Sequence, residues 1–201
     1  MTSFTAYRIH QLDGRIVARF DSITLDDLTP GEVVVRVQYS GINYKDALAA
    51  TGTAPILRKY PLVGGIDLAG EVVTSADPRY AAGQPVLVTG CGLSETRDGG
   101  YAQFARLESE SVIPLPAGIN TLDAMKIGTA GFTAALAVHQ MERNGQLPGN
   151  GPVVVTGATG GVGSIAVNIL ARRGYEVVAV SGKPDADEYL TSLGAARILR
   201  R

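Results

Sequence analysis

The feature that most constrains this chain is VVVTGATGGVGSIAVNIL (153–170), in which Gly157, Gly160, Gly161 and Gly163 separate a β-branched run from an apolar-periodic one. Glycine at such a turn permits positive φ, glycine at the helix start lets the backbone touch a pyrophosphate, and a third lets the helix lie close to the sheet. The helix N-terminus then offers unpaired N–H groups and positive partial charge to a phosphate. Val162, Ile165, Ala166, Ile169 and Leu170 fall at i, i+3, i+4, i+7 and i+8, the apolar stripe of an amphipathic helix closed by Arg172, Arg173 and Gly174. EVVAVS (176–181) predicts a second strand, DADEYLTSL (185–193), stopped by Gly194, a second helix, and RIL (197–199) the start of a third strand. This β-α-β-α-β order is the first half of a doubly wound nucleotide-binding sheet, which usually carries about six strands. The sequence therefore reads as a fragment of a longer protein, the alternative being a complete small variant whose third strand is an edge.

The predicted cofactor-binding residues are Thr159, Gly160, Gly161, Val162 and Gly163 in the loop and Ser181, Gly182 and Lys183 after the second strand. An NAD-specific site usually places a carboxylate on the ribose 2′-OH about 20 residues beyond the glycines. Here a hydroxyl and an ammonium stand instead, which suits a 2′-phosphate and favours NADP(H). Lys183 as a solvated surface residue is the competing reading, as is a glycine-rich turn chosen for packing alone. TGATGGVG also fits the TGxxxGxG pattern of short-chain dehydrogenases. That family begins with its glycine loop, whereas here the loop starts at Gly157, and no Tyr has Lys four positions later.

Upstream the texture is different. From Arg8 to Pro114, β-branched runs such as VVVRVQY (33–39), EVVTS (71–75) and PVLVTG (85–90) alternate with turns at TPGE, DP and DGG, predicting a twisted β-domain. A helix follows over 123–145, with Arg143 and a stop glycine at its end. The expected division is 1–122 for the β-rich domain and 123–201 for the nucleotide-binding one. Net charge is −1, so no global field draws the chain to nucleic acid or an anionic membrane. The N-terminus lacks an apolar h-region, no stretch approaches 18 apolar residues, and the single Cys91 excludes an internal disulfide, a zinc ribbon and a cysteine-only cluster. A cytoplasmic protein is expected.

The strings NYKDALA (43–49), GIDLAGEV (65–72), DPRY and GQPVLVTG (77–90), IGTAGFTA (127–134), VVVTGATGGVGS (153–164), VVAVSGK (177–183) and EYLTSLGA (188–195) give the chain a further identity. Together they resemble the medium-chain dehydrogenase/reductase superfamily, in the zinc-free quinone-oxidoreductase-like branch that includes bacterial acrylyl-CoA reductases. The resemblance covers essentially all 201 residues. It implies an α/β protein with a GroES-like β-rich domain followed by the first half of a Rossmann domain, and a homodimer at full length. Where zinc-bearing relatives carry a Cys and a Gly-His-Glu segment, this chain has Asn43 and Gly65-Ile66-Asp67. An amide and an aliphatic side chain cannot replace thiolate and imidazole on zinc, so no metal site is expected.

Zinc commonly stabilises an alkoxide, whereas reduction of an activated C=C needs only hydrogen bonds to an enolate. The resemblance therefore implies hydride transfer from NADPH to a short 2-enoyl thioester, acrylyl-CoA giving propanoyl-CoA. An NADPH-dependent quinone reductase and a non-catalytic NADP-binding protein are the alternatives. The expected partner is a small molecule, acyl-CoA or quinone, with neither nucleic acid nor membrane.

Asn43 and Tyr44 are the candidate catalytic residues. The resemblance places them at the nicotinamide pocket, where Tyr44 offers a ring and an OH donor; a core tyrosine is the other reading. Thr129 resembles a threonine that approaches the nicotinamide, or its hydroxyl bonds its own helix backbone. Arg201 resembles a phosphate-contacting arginine. Asp67 reads as holding its loop together, Arg58 and Lys59 as a solvated pair or CoA-phosphate contacts, and Cys91 as a small packing residue. His10 and His139 read as surface or helix residues.

Overall fold

The computed structural model describes residues 2–201, which divide into two compact units, the first ending at Thr129 and the second running from Ala130 to Arg201. The division falls seven residues beyond the 122/123 boundary expected from the sequence. The helix expected there starts at Thr121 and is broken at Gly128 (φ 51°, ψ −161°), so its first turns belong with the β-rich unit.

In the first unit, β1 (Phe4–Leu12) and β2 (Arg15–Ile23) pair antiparallel through a two-residue turn at Asp13 (φ 49°) and Gly14 (φ 75°). Both turn residues have positive φ, as the tight hairpin turn whose twist matches its strands requires. With β4 (Leu62–Val63) they form a sheet ordered β2-β1-β4. A second sheet is ordered β7-β3-β5-β6-β8, from β3 (Val33–Tyr39), β5 (Asp67–Ser75), β6 (Pro85–Thr89), β7 (Phe104–Leu107) and β8 (Ile113–Pro114). Period-2 alternation buries Val33, Val35, Leu68, Val72, Val86 and Val88 in one core. A short helix α1 (Tyr44–Thr51) interrupts this β-rich stretch, starting at Asn43 and ending on left-handed Gly52. Its Ala49 packs with Ile9, Leu57 and Leu62.

The second unit contains most of α2 (Thr121–Arg143), then β9 (Val153–Thr156), α3 (Gly161–Arg172), β10 (Val177–Ser181), α4 (Asp187–Ser192) and β11 (Arg197–Arg200). The three strands are parallel in the order β11-β10-β9, the 3-2-1 half of a doubly wound sheet. Val167, Leu170, Val177, Ala179 and Leu190 form its core.

The stripe expected on α3 is corrected in part: Leu170 is buried and Ile169 packs against the core, but the rest of the stripe is not the buried face. The helix buries Gly163, Ser164, Val167 and Leu170, while Val162 is 42% exposed and Ile165, Ala166 and Ile169 are only partly covered. The side that packs is the one carrying Gly163, because only a residue without Cβ lets the helix come this close to the loop. Among the described residues no helix is long and apolar enough to cross a membrane.

Candidate functional site

Each unit carries one group of candidate residues. In the second, the chain leaves β9 through Gly157 in the left-handed region (φ 60°), turns back with the Gly160 N–H donating to the Gly157 carbonyl at 2.9 Å, and enters α3 at Gly161. A Cβ on Gly163 would lie 2.3 Å from the Gly157 carbonyl oxygen and 2.9 Å from the Ala158 Cα. The loop and helix start are therefore in backbone contact, and the first amides of α3 have no carbonyl partner within the helix.

Beside this loop lies a cavity of about 760 Å³ lined by Thr156, Gly157, Thr159, Val180, Ser181, Gly182, Lys183 and Arg201. No carboxylate is in that lining. Five of the expected cofactor residues meet there: Thr159, Ser181, Gly182, Lys183 and Arg201. Ser181 is buried and its Oγ accepts the Lys183 N–H at 3.1 Å, so it shapes the turn that presents the ammonium. The Arg201 N–H donates to the Ser181 carbonyl at 3.3 Å, which ties the residue after β11 to the end of β10.

Sequence reasoning missed Arg200. Its guanidinium donates to the Lys183 carbonyl at 2.6 Å and the Pro184 carbonyl at 2.8 Å, and pairs with Asp187 at 2.7 Å. An Arg at the end of a short strand gives no local signal of that reach.

The anion cradle, two cations and lack of a lining carboxylate fit a dinucleotide bearing a 2′-phosphate. The glycine contact leaves space for a pyrophosphate that no Cβ obstructs, and charge-assisted hydrogen bonds are the strong ones for such a group.

The first unit gathers Asn43, Asp46, Asp67, Tyr101 and Thr129. Asp67, 1% exposed on β5, accepts from the Gly41 N–H (2.8 Å), Asn43 Nδ2 (3.0 Å), the Thr129 N–H (3.1 Å) and Thr129 Oγ1 (3.0 Å). The Thr129 hydroxyl thus reaches across to Asp67. Asp46 accepts from the Asn43 N–H at 2.8 Å and the Ile66 N–H at 3.0 Å. Burial pushes the Asp46 carboxyl up, against the lowering effect of Asn43, Tyr101 and Ile66. Burial, and then the neighbouring Asp46 and Asp67, push the Tyr101 phenol well above its ordinary value. Its OH donates to the Gly41 carbonyl at 3.0 Å.

Asp46 and Tyr101 are site residues that sequence reasoning did not find. The Asn-x-x-Asp spacing at the start of α1 is a capping signal that could have revealed Asp46. Tyr44 is 80% exposed, which rules out the core reading. Cys91 is exposed with φ 50°, so it is not a packing residue. Arg58 and Lys59 are exposed, and His10 bonds Asp21 at 2.7 Å. Among the described residues no three His, Cys, Asp or Glu side chains come together as a possible metal site.

Comparison with known proteins gives the family. Residues 29–117 match the alcohol dehydrogenase GroES-like domain family. The chain is 51% identical over 188 residues to acrylyl-CoA reductase AcuI of Ruegeria pomeroyi, a match covering 94% of this chain and 57% of that protein. The crystal structure of the yhdH oxidoreductase from Salmonella enterica in complex with NADP superposes with a TM-score of 0.95 at 50% identity, covering 98% of this chain and 61% of that one. Bacillus subtilis YhfP, a putative quinone oxidoreductase whose structure has NAD bound, is 46% identical, with a TM-score of 0.94 covering 100% of this chain and 61% of that one. The chain spans about three fifths of the length of these relatives.

The chain belongs to the medium-chain dehydrogenase/reductase superfamily, with a GroES-like domain and part of a Rossmann-like one. Within it, its close relatives include proteins named acrylyl-CoA reductase.

Proposed function

We propose that the protein is a zinc-independent NADPH-dependent oxidoreductase that reduces the C=C of a short 2-enoyl-CoA, acrylyl-CoA to propanoyl-CoA. The observation that carries this reading is the carboxylate-free cavity beside the glycine loop, where Lys183 and Arg201 stand together. NADPH, when bound, supplies the hydride.

The chain's own residues do the rest. Gly160, Gly161, Val162 and Gly163 present helix-start amides to the pyrophosphate, and Thr159 lines the same cavity. Lys183 and Arg201 hold the 2′-phosphate, with Ser181 and Gly182 forming the turn between them. Tyr44 offers an exposed ring to pack on the cofactor and an OH to the substrate, and Asn43, fixed by Asp46 and Asp67, keeps its amide beside it. Hydrogen bonds aimed at a developing thioester oxyanion stabilise the transition state without a Lewis acid. At full length we infer a homodimer working in the cytoplasm on a small-molecule substrate.

The kinship with YhfP supports a second reading, reduction of a quinone. Single-turnover NADPH oxidation by the full-length gene product, with acrylyl-CoA in one arm and a benzoquinone in the other, decides between them. Faster turnover of the thioester is expected. Faster turnover of the quinone reverses the assignment, and oxidation by neither leaves an NADP-binding protein without this activity.

A further inference from the structure

The turn that carries Lys183 is held by a residue outside the cavity. Lys183 lies between Gly182 and Pro184 on the way from β10 to α4, so a glycine hinge precedes it and the proline confines its own backbone to extended conformations. Its peptide groups are pinned from both sides: the N–H donates to Ser181 Oγ at 3.1 Å, and the carbonyl accepts from Arg200 at 2.6 Å. The other arm of the same guanidinium donates to the Pro184 carbonyl at 2.8 Å and meets Asp187 Oδ1 at 2.7 Å. Arg200 stands opposite Ser181 in the register of β10 with β11, and it is not among the residues lining the cavity. A planar fork can reach two successive carbonyls at once, which the point charge of an ammonium cannot.

Thr159 and Lys183 line both this cavity and a second one of about 370 Å³, completed by Pro184, Asp185, Ala186 and Tyr189. The first has no carboxylate in its lining; the second has Asp185. Lys183 thus stands on the wall between two cavities of different charge. We propose that Arg200 is a positioning residue for cofactor selection: by clamping the Lys183 and Pro184 carbonyls it fixes the direction in which the Lys183 side chain leaves the turn, and so keeps the ammonium in the carboxylate-free cavity and away from Asp185. The inference rests on the reading given under Proposed function, in which Lys183 holds the 2′-phosphate. Arg200 makes no contact of its own with the nucleotide and acts through Lys183. Its pair with Asp187 is open to solvent, contributes little as an ion pair, and serves to aim the fork at the two carbonyls.

The test is a set of equilibrium titrations of the full-length gene product with NADPH and with NADH, read as the ratio of the two affinities. Arg200→Met removes the clamp and should narrow that ratio by roughly tenfold, the loss expected when one charge-assisted contact to a phosphate is misplaced. Arg200→Lys keeps the charge without the fork and should still narrow it by roughly threefold or more. Adding Asp185→Asn to Arg200→Met removes the competing carboxylate and should bring the ratio back to within roughly threefold of wild type. In a Lys183→Ala background Arg200→Met should narrow the ratio no further, because both changes act through one ammonium.

A ratio that Arg200→Lys leaves at the wild-type value shows that charge alone matters, and overturns the proposal. A further loss in the Lys183→Ala background does the same, since it puts Arg200 on the phosphate itself, as does an Arg200→Met ratio that Asp185→Asn fails to raise. A merely structural Arg200 would weaken NADPH and NADH alike, and that unmoved ratio is equally fatal. If Arg200→Met does not fold, Arg200→Lys, alone and in the Lys183→Ala background, still decides. Each of these results overturns the inference alone. Wild type that binds NADPH no better than NADH, or binds neither, overturns the cofactor reading together with it.

Discussion

Replacing Gly163 with alanine tests the contact on which the cofactor loop is built. Helix propensity alone favours the change by about 1 kcal/mol. The structure opposes it, because the new Cβ would sit 2.3 Å from the Gly157 carbonyl oxygen and 2.9 Å from the Ala158 Cα, against ordinary contacts of 3.4–4 Å. Both obstacles are backbone and cannot rotate aside, so α3 has to retreat by about 1 Å. Overpacking costs about 1–3 kcal/mol, and a clash with fixed backbone belongs at the upper end. The net is a loss of about 2 kcal/mol after the propensity gain.

At a urea m-value of about 2 kcal/mol per molar, the unfolding midpoint should fall by about 1 M. Gly161→Ala is the control. Its Cβ would meet only the Ala130 methyl carbon, at 3.2 Å, so its stability should match or exceed wild type. A Gly163→Ala protein as stable as wild type would show that the loop and helix are not in tight contact.

Lys183→Ala should weaken NADPH by roughly tenfold or more while leaving NADH unchanged, since a charge-assisted bond to the 2′-phosphate contributes about 1.5–3 kcal/mol; fluorescence titration measures both, and equal losses would refute the assignment. Tyr44→Phe should keep the fold, its side chain being largely exposed, and slow single-turnover NADPH oxidation, whereas an unchanged rate would reduce the residue to packing. Tyr101 has its phenol pKa raised in the fold, so its contribution is complete below the unfolded value near ~10 and is lost as pH rises above it. Urea midpoints across that alkaline range should therefore fall more steeply in wild type than in Tyr101→Phe, and parallel slopes would contradict the shift. The full-length gene product should hold no stoichiometric zinc and keep its activity in chelator, given Asn43, Ile66 and an Asp67 already accepting four hydrogen bonds; elemental analysis finding one tightly held zinc per chain would overturn this.

Much of the second unit was legible because its signals are local. VVAVS has to be a buried strand, and Gly174 and Gly194, both with positive φ, stop helices where the sequence says they should. The α3 stripe misled because periodicity registers apolar side chains and cannot register Gly163, whose missing Cβ decides which face packs. Helix α1 was hidden because eight residues carry little periodicity inside a β-rich stretch, although Asn43 and Gly52 mark its ends. The Asp67 cluster was the least legible part. Its partners at 41, 43 and 129 are brought to it by strand and helix packing, and no spacing along the chain foretells which donors a buried carboxylate will find.

Gly182 bears on the engineering of this protein. Unlike Gly157, it does not sit in the left-handed region, and a Cβ there would come no nearer than 4.0 Å to Arg201 Cβ. The position between Ser181 and Lys183 is thus sterically vacant and backbone-tolerant. Under the function proposed above, an acidic side chain introduced there would stand beside Arg201 on the cavity rim without disturbing the strands beneath it, opposing the 2′-phosphate that Lys183 and Arg201 are proposed to hold.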